Sequence, residues 1–419
     1  MKNYFKISNI FNAIEFIQTN KIESFSLIDD NKGDFIFGWE VEDELIQEEY
    51  TQNKLKTFED KHKDFIFGFI GYDAKNKTLS KVKSKNIDIH QFPESVFFTC
   101  YHVVIKKGKN FLYYGTNKSF SDFKNKQYTY ITSVSSKNKA VSLQANISKK
   151  DYVNCVDAIK SKIQNGDIYE ANYCIQFKEL NTTINSIETY KNLKKNTKAP
   201  FSLFFKYKHI HILSASPERF YKKENNIIIS QPIKGTARRG KNEIEDQNIK
   251  QQLKKNTKEI SENIMIVDLV RNDLSRLPHI KSVETTELCK LYTFDTVHQL
   301  ISTVKATLNT TVSLNEVLAD LFPMGSMTGA PKISACQIID EVENFKRGIY
   351  SGTVGFISPN KNHDFNVVIR SVLYNSNNKT VSVSVGGAIT IKSIAEQEYN
   401  ECLLKLKAIS RSIVGLSNN

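Results

Sequence analysis

The chain has 419 residues, 40% of them hydrophobic and 25% charged, the make-up of an ordinary globular protein with room for two or three domains or one large α/β unit. No apolar run approaches the roughly 18 residues of a membrane span, and the opening Met1-Lys2-Asn3-Tyr4-Phe5-Lys6 has neither a long apolar core nor a small-residue cleavage site, so a cytoplasmic location and no membrane partner are expected. The net charge of +13 comes from lysines spread along the chain, without an Arg-rich stripe interleaved with aromatics, and reads as a solvated surface with no nucleic-acid partner.

In chain order, residues 1–145 show short strand-like runs at 34–39, 65–70, 95–98 and 101–106, broken by polar Lys/Asn/Ser stretches. The segment 118–139 is polar and weakly periodic, a loop or boundary. The texture then changes. Val153, Val156, Ile159 and Ile163 recur at helical spacing over 151–164, and Gly166 follows as a stop. Strands at 210–213 and 227–229 are succeeded by helices at 244–271, 314–321, 333–343 and 394–412 and by late strands at 351–357, 366–374 and 380–385. Mixed strands with long interspersed helices and no internal repeat give a large α+β or α/β body, divided here into an N-terminal region 1–145 and a second region 146–415.

Six scattered cysteines (Cys100, Cys155, Cys174, Cys289, Cys336, Cys402) form no CxxC pair, so they read as reduced, mostly buried thiols and not as a zinc site. Lys234, in Ser230-Gln231-Pro232-Ile233-Lys234-Gly235-Thr236, stands between Glu218 upstream and the glutamates of 259–262 and 398–401 downstream. A lysine held near carboxylates is a nucleophile if its amine is neutral and a salt-bridge cation if it is not.

Six runs occur in a telling order: Ser216-Pro217-Glu218-Arg219-Phe220, Pro232-Ile233-Lys234-Gly235-Thr236, 265–274 (MIVDLVRNDL), Gly325-Ser326-Met327-Thr328-Gly329-Ala330-Pro331-Lys332, 350–355 (YSGTVG) and Gly386-Gly387-Ala388-Ile389. Their order resembles the chorismate-utilising enzymes: anthranilate synthase large subunit, aminodeoxychorismate synthase component I, and isochorismate and salicylate synthases. The likeness covers roughly residues 150–415, and Gly68-Phe69-Ile70-Gly71-Tyr72-Asp73 extends it into the N-terminal zone. It implies an α+β fold of the anthranilate synthase large-subunit type, a large two-layer β-sandwich-like core with flanking helices.

Chorismate is a dicarboxylate with an enolpyruvyl ether and a hydroxyl that must leave, so its enzyme needs an acid and a cation. Glu259 and Glu262 share one face of a predicted helix, as do Glu398 and Glu401; converging, the two faces would form a carboxylate nest suited to Mg²⁺. Taken alone, such pairs are common on solvated helices. By resemblance Glu262 and Glu401 are direct ligands, with Glu259 and Glu398 nearby or water-linked, and Glu218 protonates the departing hydroxyl, its pKa raised by surrounding acids and a dianionic ligand. Arg370 interrupts an apolar strand, so it requires a carboxylate, either the substrate's or an internal partner's. Gly386, Gly387 and Ala388 can offer backbone N–H groups to the other carboxylate, Thr353 and Lys332 add donors, and His298, on what reads as an apolar helix, matches a family histidine close to the ring.

Lys234 separates the relatives. Anthranilate synthases usually carry alanine there and let ammonia attack directly, whereas many aminodeoxychorismate synthases carry lysine and form a covalent intermediate that ammonia then displaces. The expectation is therefore aminodeoxychorismate synthase component I (para-aminobenzoate synthase large subunit), making 4-amino-4-deoxychorismate for folate synthesis. Since no glutaminase triad is present, ammonia would come from another chain or from solution, and the resemblance implies a glutamine amidotransferase on a separate chain. Anthranilate synthase, or a non-catalytic chorismate-binding protein, is the alternative. Two positions depart from the family: Glu170 replaces the usual glutamine, and the lysine of isochorismate synthases, while Met324 replaces a glycine and is expected to cause local repacking only.

Overall fold

The computed structural model describes residues 7, 9–79, 82, 84–115 and 141–413; the polar segment 118–139 lies outside the described residues. Two long strands, Phe35–Gln47 and Ser95–Lys107, pair antiparallel along their length, with a bulge between Val41 and Glu44. From this ribbon an antiparallel ladder runs out in two directions. One wing continues through Phe25–Asp29, Phe201–Tyr207, Ile210–Ser216, Ser371–Asn375 and Thr380–Ile389 to Glu170–Glu179. The other passes through Ile66–Ile70, Thr353–Ile357, His363–Val367, Arg219–Glu224 and Ile227–Ser230 to Val297–Leu308, which is flanked by Ile280–Thr293 and Ile233–Arg238.

The wings face each other because their central strands are apolar on both sides. Phe67 and Phe69 in the run 65–70 and Leu203 and Phe205 on the opposite wing join one buried cluster, and the rings of Phe69 and Phe205 meet edge-on with centroids 5.6 Å apart. Each outer face carries its own apolar cluster under helices. Lys149–Gln164, Ser186–Thr197, Lys332–Val342 and Ala395–Ser410 cover one; Gln52–Lys61, Thr257–Ser275 and Leu314–Leu321 cover the other. The protein is thus α+β, a two-layer β-sandwich between helices. Phe25–Asp29 pairs with Phe201–Tyr207 and Ile66–Ile70 with Thr353–Ile357, so strands from either side of residue 145 lie within a single ladder.

Three local expectations change. The helix expected over 244–271 is two, Glu243–Lys255 and Thr257–Ser275, because Asn256 leaves helical geometry and its side chain accepts the N–H groups of Lys258 and Glu259 as an N-cap. The strand expected over 366–374 is interrupted at Arg370, whose φ of +52° breaks the extended run. His298 lies on a strand, not a helix. Met324 is buried in the outer cluster beneath the helix Thr257–Ser275. Among the described residues no helix is long and apolar enough to cross a membrane, and all six cysteines are free.

Candidate active site

A cavity of ≈ 570 Å³ opens between the helices Thr257–Ser275 and Ala395–Ser410 and the strands Ile233–Arg238 and Thr380–Ile389. Lys234, Glu218, Arg370, Gly386, Gly387, Ala388 and all four glutamates of the two i, i+3 pairs line it. The strand Ile233–Arg238 belongs to one wing and Thr380–Ile389 to the other, so the cavity gathers segments of both wings that are distant in sequence.

Lys234 owes its aim to a bulge. The register of Ile233–Arg238 against Val297–Leu308 slips between Ile233 and Thr236, and Gly235 takes a φ of +90°. A Cβ on Gly235 would lie 3.2 Å from Glu259 Cβ, so glycine also lets the strand approach the acidic helix. From that helix Asn263 Nδ2 donates to the carbonyls of Leu300 (3.2 Å) and Lys234 (3.5 Å), fixing both strands. Lys234 Nζ is 4.0 Å from Glu170 Oε1. Burial by itself pushes the Lys234 amine down, but Glu170, Glu262, Glu218 and Glu259 together outweigh it, and the resting side chain is an ammonium.

Glu218 behaves differently. Burial pushes its carboxyl up to about 7, against the opposing pull of a Ser326 hydrogen bond and of Lys234. The cause is desolvation, where the sequence suggested neighbouring negative charge. Glu262 is likewise raised to about 7 by burial, with Lys234 and Lys258 opposing. For Glu401 burial acts upward, but Lys405, 2.7 Å away, together with Lys258 and Arg370 holds it below the usual carboxylate range.

Arg370 enters the cavity from the strained link between two strands, and among the described residues Glu401 acts on it only through charge, with no ion pair within 4.0 Å. The internal ion pair that the sequence left open is absent among them, so the guanidinium is available to a ligand. Gly386 faces Cys174 across the ladder, where a Cβ would meet Cys174 Sγ at 2.5 Å, and its carbonyl accepts from Lys405 Nζ at 2.7 Å.

Three expected residues do not reach the cavity. His298 is fully buried, and strand alternation turns it away while its neighbours Val297 and Gln299 line the wall; its ring pairs with Asp246 (2.8 Å) and Thr293 (3.0 Å). Thr353 Oγ1 donates to the Asn366 carbonyl at 3.0 Å. Lys332 Nζ is held by Asp273 at 2.6 Å and by the Leu321 carbonyl at 3.3 Å, each partner closing a contact outside the site.

Other residues join the site without having been singled out: Asn172, Lys258, Ser326 and Lys405 line it. For the lysines a signal existed, since Lys258 and Lys405 stand four residues from Glu262 and Glu401 on their helices. Arg347 had no local signal. Buried above the Tyr72 ring, it donates to Glu343, to the Met327 carbonyl (2.7 Å) and to the Asn172 carbonyl (2.6 Å), tying two cavity walls together.

The donor set suits Mg²⁺ in kind: carboxylate oxygens from two helices, including a buried Glu262 Oε1 without a hydrogen-bond partner among the described residues. Lys258 Nζ stands among these acids, 3.4 Å from Glu398 Oε1 and 3.9 Å from Glu262 Oε1. Among the described residues no three acidic or other ligating side chains are drawn close enough together to hold an ion.

The pattern of the chorismate binding enzyme family matches residues 10–411, and the chain belongs to that family. Over 269 residues it is 40% identical to a probable chloroplastic aminodeoxychorismate synthase of Oryza sativa subsp. japonica, covering 64% of this chain and 30% of the relative. An anthranilate synthase component I-like protein of Synechocystis is 32% identical over 83% of this chain and 72% of its own. Among solved structures, anthranilate synthase component I from Streptococcus pneumoniae superposes with a TM-score of 0.76 over 93% of this chain and 92% of that one, at 24% identity. The chain spans less than a third of the plant aminodeoxychorismate synthases it matches.

Proposed function

We propose that the chain is an aminodeoxychorismate synthase component I, which replaces the ring hydroxyl of chorismate with an amino group through a covalent bond to Lys234. The observation that carries this reading is Lys234 itself, re-aimed by a bulge into the same cavity as a carboxyl that burial keeps protonated up to about pH 7, Glu218. The names of several relatives, aminodeoxychorismate synthases of plants and Streptomyces, support it.

In this reading Arg370 takes one substrate carboxylate and the backbone of 386–388 approaches the other. Glu262 and Glu401, with Glu259 and Glu398 beside them, would hold Mg²⁺, which when bound supplies positive charge to anchor a carboxylate. The Lys234 amine adds to the ring carbon beside the carboxylate-bearing one, the two ring double bonds shift, and the C–O bond to the hydroxyl breaks as Glu218 delivers its proton to make water. Ammonia then attacks the carbon that lost the hydroxyl, the double bonds shift back and Lys234 is released. Two allylic displacements replace one difficult substitution.

The test is product identity together with a trapped adduct. Supplied with chorismate, Mg²⁺ and ammonium, the chain should form 4-amino-4-deoxychorismate and no fluorescent anthranilate. Glutamine should replace ammonium only when an amidotransferase chain is added. Without ammonia the wild type should carry chorismate-derived mass on the Lys234 peptide, and Lys234→Ala should lose at least ~100-fold in product formation. Anthranilate as the product, or an undiminished Lys234→Ala rate without any adduct, would overturn the reading.

A further inference from the structure

Lys234 is an ammonium at rest, and an ammonium has no lone pair with which to attack. Something within the site must take its proton. Several carboxyls surround it, and their placement separates them. Glu218 is committed to donating a proton in the opposite sense. Glu259 and Glu262 sit on the helix beside Lys258, which is drawn to Glu262 and Glu398. Glu170 is the remaining acid, and among the described residues it is the carboxylate that comes within 4.0 Å of Lys234 Nζ.

Its environment fits one use. Glu170 opens the strand Glu170–Glu179 and is pinned there by short pairing with Gly329-Ala330, so close that a Cβ on Gly329 would meet the Glu170 carbonyl at 2.1 Å. The side chain is 1% exposed and does not line the cavity, whereas Lys234 does. Lys234 thus borders the ligand space and also approaches Glu170. Within this buried carboxylate Oε2 has no hydrogen-bond partner among the described residues. A carboxylate oxygen left bare in the interior is costly unless something requires an open acceptor.

We propose that Glu170 is the general base of the reaction, taking a proton from Lys234 Nζ so that the amine can attack the ring. The inference rests on the covalent reading above. The gap of 4.0 Å is longer than a working hydrogen bond, as catalytic contacts often are before substrate tightens them. Protons balance through the cycle. Lys234 passes one to Glu170 and its nitrogen bonds to carbon, becoming a secondary ammonium, while Glu218 gives its proton to the departing hydroxyl. When ammonia displaces Lys234 the released neutral amine recovers its proton from Glu170, and the new ring ammonium returns one to Glu218. The sum is chorismate and ammonia to 4-amino-4-deoxychorismate and water.

A bland role for Glu170, merely holding Lys234 charged, predicts the opposite sign for its removal. Glu170→Gln deletes the nearest negative charge, which lets the amine lose its proton more easily and would speed adduct formation. If Glu170 is the base, the same substitution slows it. The decisive measurement is the single-turnover rate of adduct formation on Lys234, followed by mass in rapidly quenched samples of the full chain with chorismate and Mg²⁺ and no ammonia. At about pH 7 the Glu170→Gln rate should fall roughly 100-fold, recovering toward wild type at about pH 10, where bulk hydroxide deprotonates the amine. Glu170→Asp should retain an intermediate rate. An unchanged or faster Glu170→Gln rate would overturn the proposal, as would a loss that high pH does not restore in a variant with wild-type melting and chorismate binding. Product formed by the wild type with no adduct at any time would instead overturn the covalent reading beneath it.

Discussion

Glu218 and Glu262 are carboxyls that the fold prefers protonated, and beside the role proposed for Glu218 that preference has a thermodynamic side. Burial raises Glu218 from its ordinary 4.5 to about 7. Below the unfolded value the group is neutral in both states and costs nothing. Between there and the folded value the unfolded chain gains increasingly from ionising, so the penalty on the native state grows and is complete above about 7, at roughly 3 kcal/mol. Glu218→Gln should therefore raise the melting temperature at alkaline pH and leave it nearly unchanged near pH 4, and on the proposed mechanism it should also abolish proton delivery; denaturation curves across that range check the stability effect. Equal stabilisation at both ends would show that ionisation is not the cause. Lys234, Glu218 and Arg370, which the structure brings to one cavity, stood out in the sequence through their place in ordered family motifs, since residue type alone left an ion pair open for Lys234 and Arg370. His298 was misplaced for a reason equally physical. Strand parity turns alternate side chains to opposite faces, and a single residue type cannot report which face is the cavity.

The bulge in Ile233–Arg238 shows what one element contributes. It shortens the ladder by one step, points Lys234 inward and needs Gly235 in a conformation that side chains resist. Gly235→Ala should cost about 1–3 kcal/mol from backbone strain and from its 3.2 Å approach to Glu259 Cβ. Its effect on turnover should be larger still, since relaxation of the strand moves both Lys234 and the acidic helix. Chemical denaturation together with steady-state assays would separate the two; a variant as active and stable as wild type would refute the bulge's role. Helix existence was readable from apolar spacing, whereas the break at Asn256 was not. The apolar period runs on through the cap, and only the turn of that one residue out of helical geometry ends the first helix. Arg370 hid a break in the same way, since nothing local in the run 366–374 marks a φ of +52°.

Over the whole molecule the two wings leave no independent half. Strands from the first seventy residues pair in mid-ladder with strands after residue 200, and the cluster between the wings draws Phe67 and Phe205 together. The class of fold was legible from alternating strand and helix textures, but its topology was not, because antiparallel partners are chosen across long stretches of chain by complementary apolar faces. A chain beginning at 141 should remain unfolded, with bare edges at Phe201–Tyr207 and Thr353–Ile357, and co-expression with 1–140 should restore a soluble, chorismate-binding complex. A soluble, active 141–419 fragment would contradict this. The same pairing sets a timetable for birth. Ile66–Ile70 meets its partner Thr353–Ile357 only when about 280 further residues have left the ribosome, roughly 15–60 s of synthesis at ordinary rates. Throughout that interval the nascent chain carries Ile66-Phe67-Gly68-Phe69-Ile70 with one edge unpaired, a sticky apolar strand early in the message. Slow growth of the chain, or scarcity of holding chaperones, should then limit the yield of this protein more than the stability of its finished fold does.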